Sequence, residues 1–277
     1  MAGTFTDNPF VDPIVLEQFK RISIDVKKKD RDWVAVYDGE EGSGKSVLAM
    51  QHAKVLDPDF NIDNICFNAD QFIDRLKTAP KHSCILLDEA YNAANSRSAL
   101  TEVNRAMVSV ATEMRQRNLF VLIVLPTFFD LDKYFAIWRC RTLFHVYFDK
   151  KTGDRGRYVL FPKNSKKMLY LTGKKFYNYS KPHSPYPACR FRHEYVINET
   201  DYRKKKADAF KKRTVSNLAK RWKMQRNALV KEMYHNMKVP SSKIPKLLAN
   251  WGSKALSQRE IQRIVQIYGE EVPENDI

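Results

Sequence analysis

Gly39-Glu40-Glu41-Gly42-Ser43-Gly44-Lys45-Ser46 is the stretch whose reading decides the fold. The eight residues fit G-x-x-x-x-G-K-[ST] throughout, a spacing that cradles phosphate. Glycines let successive backbone N–H groups curl around phosphate oxygens with no Cβ in the way. Lys45 is placed to reach the β- and γ-phosphates, and the Ser46 hydroxyl to ligate Mg²⁺. A helix beginning near Lys45 adds its positive end to the same anion. The pattern predicts a nucleoside triphosphate site built from Gly39, Glu40, Glu41, Gly42, Ser43, Gly44, Lys45 and Ser46, with ATP and Mg²⁺ as ligands. Glu40 and Glu41 are unusual beside a triphosphate and are expected to point away from it.

The flanking sequence supplies the order that such a loop requires. Trp33–Tyr37 is a short apolar run entering the turn at Asp38-Gly39, and Val47, Leu48, Met50, Ala53 and Val55 give the helix after it. Ile65–Phe67, Cys84–Leu87, Leu119–Leu125 and Thr142–Phe148 read as further buried strands. Between them lie a helix capped at Asp70 and running through Leu76, a long helical pattern from Ala99 to Arg117, and a short one over Leu131–Trp138. Nearly all-apolar strands alternating with helices predict an α/β fold, a parallel sheet covered on both faces.

Two carboxylates, Asp88-Glu89, end the Cys84–Leu87 strand. Asp88 is expected to hold the Mg²⁺ shell through water, and Glu89 to polarise the attacking water, which makes the site hydrolytic. Thr127 follows the next strand and is the candidate sensor of the γ-phosphate, its bland role being a helix cap. Arg115 and Arg117, with Arg97 and Arg141 behind them, are candidates for an arginine presented to a neighbouring subunit's γ-phosphate. A helix C-terminus attracts cations in any case.

The run from DGEEGSGKS through LLDEAYNAANSRSAL to EMRQRNLFVLIVLPTFFDLDKYF resembles the additional-strand catalytic-glutamate division of P-loop NTPases, its two motifs standing as Walker A and Walker B. Within that division it is similar to FtsK/HerA-like DNA-translocating ATPases, including zonular occludens toxin-like phage proteins and viral packaging ATPases. The resemblance covers residues 31–148. It implies a ring oligomer that moves DNA, with sites at subunit interfaces. Many such translocases carry Gln where this chain has Thr127. The toxin-like assembly proteins also carry a membrane helix after the ATPase, which this chain lacks.

Charge divides the chain. The net charge of +16 splits into −3 over residues 1–149 and +19 over residues 150–277, which points to a polyanion partner for the second half. Residues 150–182 hold ten Lys/Arg against Asp154 alone, interleaved with Tyr158, Phe161, Tyr170, Phe176, Tyr177 and Tyr179. Arg157–Phe161 and Met168–Leu171 read as strands of a basic β-hairpin extension, whose aromatics are placed to stack on bases. Lys181–Ala188 is a Pro-rich connector. Residues 199–232 add twelve Lys/Arg against four acids.

The end of the chain carries a three-helix pattern. Leu229, Val230, Met233, Tyr234 and Met237 share one helix face, and Ile244, Leu247 and Leu248 belong to a second helix. Trp251-Gly252 turns the chain, and Ser257-Gln258-Arg259-Glu260 forms a capping box for a third helix over Gln258–Tyr268. The spacing resembles a helix-turn-helix, in which Lys254, Ser257, Gln258, Arg259, Gln262 and Arg263 face duplex DNA. A plain three-helix interaction module is the other reading.

The organisation read from the sequence is an N-terminal arm (1–30), an NTPase core (31–149), a basic β-rich extension (150–198) and a basic all-helical DNA-binding domain (199–277). Leu119–Pro126, the longest apolar run, is too short to cross a bilayer, and no export signal opens the chain. The four scattered cysteines suit reduced thiols in a cytoplasmic protein. His183, Cys189 and His193 lack the spacing and the fourth ligand of a zinc site. The expected function is ATP hydrolysis coupled to DNA translocation or packaging by a homo-oligomer, ring or filament. The rival is an ATP-dependent DNA-binding switch. A small-molecule kinase, the third class, is disfavoured by the basic tail and the Asp-Glu pair.

Overall fold

A computed structural model describes residues 4–88, 111–250 and 256–267. Two compact units divide the chain between Ala209 and Phe210.

The first unit is a mixed α/β sandwich around a seven-stranded, mainly parallel sheet. Its strands are β2 (Trp33–Gly39), β3 (Ile65–Cys66), β4 (Cys84–Leu87), β5 (Phe120–Val124), β6 (Thr142–Tyr147), β7 (Arg157–Pro162) and β8 (Cys189–Arg190), in the order β3-β4-β5-β2-β6-β7-β8. The first five neighbours pair in parallel, and β7 and β8 extend the sheet antiparallel. Every residue of β2, β4 and β5 is buried, as expected of strands covered on both faces. Strand alternation divides the core. Trp33, Ala35 and Tyr37 face a cluster with α1 (Pro13–Lys28) and α2 (Lys45–Leu56). Val34 and Val36 face another with α3 (Ala69–Thr78) and α4 (Ala111–Gln116).

Four expectations are corrected. Residues 150–198 are no separate extension, because β7 pairs along all of β6 from Thr142↔Pro162 to Tyr147↔Arg157. Met168–Leu171 is helical, within α5 (Lys163–Gly173). Its buried positions Lys166, Leu169, Tyr170 and Gly173 follow the helical period, and the apolar pair Leu169-Tyr170 alone imitates a strand. The N-terminal arm is part of the core: Asp12 caps α1 at Ile14 N, 3.1 Å, and Val15, Phe19 and Val26 are buried. A short β1 (Thr4–Phe5) pairs in parallel with β9 (Glu194–Tyr195). Finally, Asn68 rather than Asp70 caps α3, accepting from Gln71 N at 2.9 Å. The expected helix from Ala99 is described only from Ala111.

A long helix, α6 (Glu199–Lys231), runs across the division. In the second unit, α7 (Ile244–Asn250) and α8 (Gln258–Ile267) enclose a small core of Val230, Met233, Ile244, Leu248, Leu256 and Ile261. The capping box forms. Ser257 N donates to Glu260 Oε2 at 2.8 Å, and Glu260 N donates to Ser257 Oγ at 3.3 Å. Among the described residues no helix is long and apolar enough to cross a membrane.

Two constraints lie where the first unit is tightest. Gly39 has φ 127°, and a Cβ there would sit 1.8 Å from the Val146 carbonyl oxygen of β6. Gly39→Ala is expected to cost more than about 3 kcal/mol, strain and overlap together; urea unfolding within about 1 kcal/mol of the parent would contradict this. His52 is buried on α2, with Nδ1 2.9 Å from Tyr37 OH and Nε2 without a partner among the described residues. Burial lowers its pKa from 6.5 to about 3. The unfolded imidazole therefore takes up a proton that the native one refuses. Stability is unaffected by this group above about pH 6.5 and falls by up to about 1.4 kcal/mol per pH unit below it. His52→Phe is expected to flatten the acid limb of stability between about pH 6 and 4, read by denaturant titration.

Candidate nucleotide site at the strand ends

Parallel pairing brings the strand exits level. Tyr37 of β2 pairs with Val124 of β5, and Leu87 of β4 with Ile123 beside it. Asp88 and Leu125 therefore leave the sheet within a residue of one another, beside Asp38 near the end of β2, at the edge where α2 begins. The glycine loop turns there: Gly39, Gly42 and Gly44 have φ 127°, 76° and 101°. Ser43 is buried, its Oγ donating to Glu40 O at 2.7 Å. Glu40 and Glu41 are exposed. Lys45 Nζ donates to Gly39 O at 2.7 Å and Glu40 O at 2.8 Å, so its ammonium lies inside the curve of the loop.

Ser46 and Asp88, 42 positions apart, meet across this edge. Ser46 Oγ donates to Asp88 Oδ1 at 2.7 Å. Asp88 is fully buried, its backbone N–H donating to Cys66 O at 2.9 Å. A buried carboxylate demands donors or a cation. Here Tyr202 of α6 donates its hydroxyl to Asp88 Oδ2, and Lys206 Nζ lies 4.0 Å from the same oxygen. A hydroxyl and a carboxylate within one hydrogen bond, next to the glycine loop, form a hard oxygen donor set of the kind that suits Mg²⁺.

A second polar knot lies behind the loop. Asp38, fully buried, accepts from Phe128 N at 2.8 Å and from Tyr179 OH, and its Oδ1 lies 2.9 Å from His145 Nδ1. The rings of Tyr179 and His145 stack at 4.0 Å and 16°. Thr127 joins through Tyr179, the two hydroxyls 2.8 Å apart, and accepts from Phe129 N at 3.3 Å as a cap. Gly39 N donates to Pro126 O at 3.2 Å, so Thr127 stands beside the root of the loop. Burial and the neighbouring Asp38 raise the Tyr179 pKa far above its usual value.

On the outer side, the ring of Phe191 lies against Gly44, and the Arg155 guanidinium approaches Gly42. Phe191 and Arg155 line a cavity of about 470 Å³ with Phe10, Arg157, Arg190 and Arg192, and with the carboxylates Asp149 and Asp154, of which Asp149 pairs with Arg157 at 3.0 Å. The Arg192 guanidinium sits 5.0 Å over the Phe10 ring.

Glu89, Arg97 and Lys254 lie outside the described residues. Arg115 and Arg117 lie where β5 begins, the sheet edge opposite the loop, and so does Arg141, whose N–H donates to Val34 O at 2.8 Å. Arg117 Nη1 donates to Ala79 O at 2.9 Å, at the end of α3. Ser257 caps α8; Gln258, Arg259 and Gln262 are exposed on it, and Arg263 belongs to the same helix. Tyr158, Phe161 and Tyr170 are buried, which removes them as base-stacking residues; Phe176 and Tyr177 are exposed. Sequence reasoning missed Tyr202, Lys206, His145 and Asp38. Asp38 was read only as part of the turn into the glycine loop, and the other three carried no local signal; the β2–β6 register that sets His145 opposite Asp38 is visible only in the fold.

Tyr179→Phe removes one donor from the buried Asp38 carboxylate. The expected cost is about 2 kcal/mol in urea unfolding; a change under about 0.5 kcal/mol would show that the hydroxyl bond is dispensable.

No family model and no curated protein matches the chain. Among solved structures, it is similar to the N-terminal domain of zonular occludens toxin from Neisseria meningitidis. Identity is 15%, over 51% of this chain and 89% of that one, with a TM-score of 0.34. A likeness that distant carries no argument about function.

Proposed function

We propose that this chain hydrolyses ATP and couples hydrolysis to movement of duplex DNA, as a homo-oligomeric translocase or packaging-type motor. The observation that carries the hydrolytic part is the 2.7 Å contact of Ser46 Oγ with the buried Asp88 carboxylate, beside a loop curled around Lys45. Ser46 and Asp88 would hold Mg²⁺, whose charge offsets that of the phosphates. Lys45 exchanges the carbonyl oxygens of Gly39 and Glu40 for phosphate oxygens. The loop N–H groups and the start of α2 add positive potential without moving. Glu89 follows Asp88 directly and takes the proton of the attacking water. The cavity beside Gly44 offers room for the nucleoside, whose base would meet the Phe191 ring.

The DNA part rests on the +19 balance of residues 150–277 and on exposed polar residues along α8. Arg115 and Arg117 are candidates to act on a neighbouring copy. They stand about 20 Å from their own loop, the length of β2.

ATP turnover is to be measured with and without duplex DNA, beside oligomer size by sedimentation. Lys45→Ala is expected to abolish nucleotide binding, and Glu89→Gln to lower kcat by about 10²–10⁴ with binding retained. Turnover stimulated by DNA, with removal of a protein roadblock from the duplex, supports the motor. DNA-dependent assembly without movement supports a switch instead. A Lys45→Ala chain that binds ATP as tightly as the parent overturns both.

A further inference from the structure

Resting on the reading of Ser46 and Asp88 as metal-holding residues, we propose that Tyr202 and Lys206 are positioning residues. Together they set the divalent-cation affinity of that pair. Asp88 divides its two oxygens between two elements. Oδ1 faces Ser46 on α2, and Oδ2 faces Tyr202 and Lys206 on the first two turns of α6.

This end of α6 is firmly anchored. Asn198 Oδ1 accepts from Thr200 N at 2.9 Å and from Asp201 N at 3.3 Å, an N-cap that fixes the first turn. The Tyr202 ring is buried, 5.8 Å from Phe67 and 6.3 Å from Tyr195. Lys205 Nζ donates to Ile62 O at 2.6 Å, fastening the second turn to the 3-10 turn Ile62–Asn64 before β3. The Tyr202 hydroxyl therefore meets Asp88 from a fixed direction, and Lys206, four residues on, shares its face.

The two side chains act with opposite sign. A neutral donor on Oδ2 holds the carboxylate plane and leaves Oδ1 aimed at Ser46, as outer-shell partners orient metal ligands. An ammonium 4.0 Å from Oδ2 instead competes for the same negative charge. It satisfies Asp88 when no dication is near, and repels one that arrives. Tyr202 favours the cation and Lys206 opposes it. No local sequence pattern announces this role, because both residues sit in or beside a lysine-rich run, Arg203 to Lys206, that reads as a solvated face.

The test uses the full chain and counts free Mn²⁺ by electron paramagnetic resonance during titration, with and without saturating ADP. Tyr202→Phe is expected to raise the Mn²⁺ midpoint about tenfold. Lys206→Met is expected to lower it about two- to fivefold, the size for a partly exposed charge pair. Opposite shifts support the assignment; unmoved midpoints, or shifts of one sign, overturn it. The ADP-free titration decides this even if the nucleotide reading fails. That separate failure would appear as a wild-type midpoint indifferent to ADP. Should Tyr202→Phe not fold, the direction of the Lys206→Met shift alone decides.

Discussion

A hydroxyl from the start of one helix touching a carboxylate from the end of a buried strand is the contact on which the rest of this structure turns. Ser46 and Asp88 meet only because β2 and β4 flank β5 in parallel and in register. A slip of one residue would send Asp88 to the other face of the sheet. The loop can reach back to the pair only because Gly39 passes the backbone of β6 with no side chain. Burial of Asp88 is itself costly, and its hydrogen bonds to Ser46, to Tyr202 and, through its own N–H, to β3 offset that cost. The site is therefore assembled from β3, β4, α2 and α6 at once, rather than carried by the glycine loop.

That dependence changes how the basic half of the chain is understood. Its charge looked like one continuous surface for a polyanion, yet part of it is structural. Lys166 is fully buried and donates to the Ala136 and Ile137 carbonyls, closing the end of a helical turn. Lys205 is fastened to Ile62, and Tyr158 and Phe161 belong to the sheet core. Lys174, Lys175 and Lys181 near Phe176, and Arg203, Lys204 and Lys223 on α6, are among the basic residues that stay exposed.

What was legible in the sequence is what local pattern encodes. The strand–glycine turn–helix at Gly39–Ser46, the apolar strands, the acidic strand end at Asp88 and the Ser257–Glu260 box are each written within about a dozen residues, and all appear in the structure at those positions. The β6–β7–β8 extension was not legible as such, because antiparallel pairing between residues 142 and 190 leaves no local mark beyond alternation. The knot of Asp38, His145 and Tyr179 was hidden for the same reason: its members are 107 and 141 positions from Asp38. Tyr179 also sat among exposed aromatics and took its meaning from them. Tyr202 lay beside a lysine run whose periodicity is masked by charge.

The electrostatics of the loop follow from this assembly. A triphosphate carries several negative charges, yet the first 149 residues sum to −3 and two exposed glutamates stand in the loop itself. For the proposed triphosphate, the net charge over that half offers no attraction, and the cations at the loop itself would supply it. Lys45 lies inside the curve, Lys206 stands behind Asp88, and Arg155 approaches Gly42 from the β6–β7 turn. Two of those three cations come from residues beyond 149, the part that first looked like a DNA-binding appendage. The proposed nucleotide site thus draws charge from the second half of the chain, and the boundary between a near-neutral half and a basic half, clear in composition, does not exist at the loop.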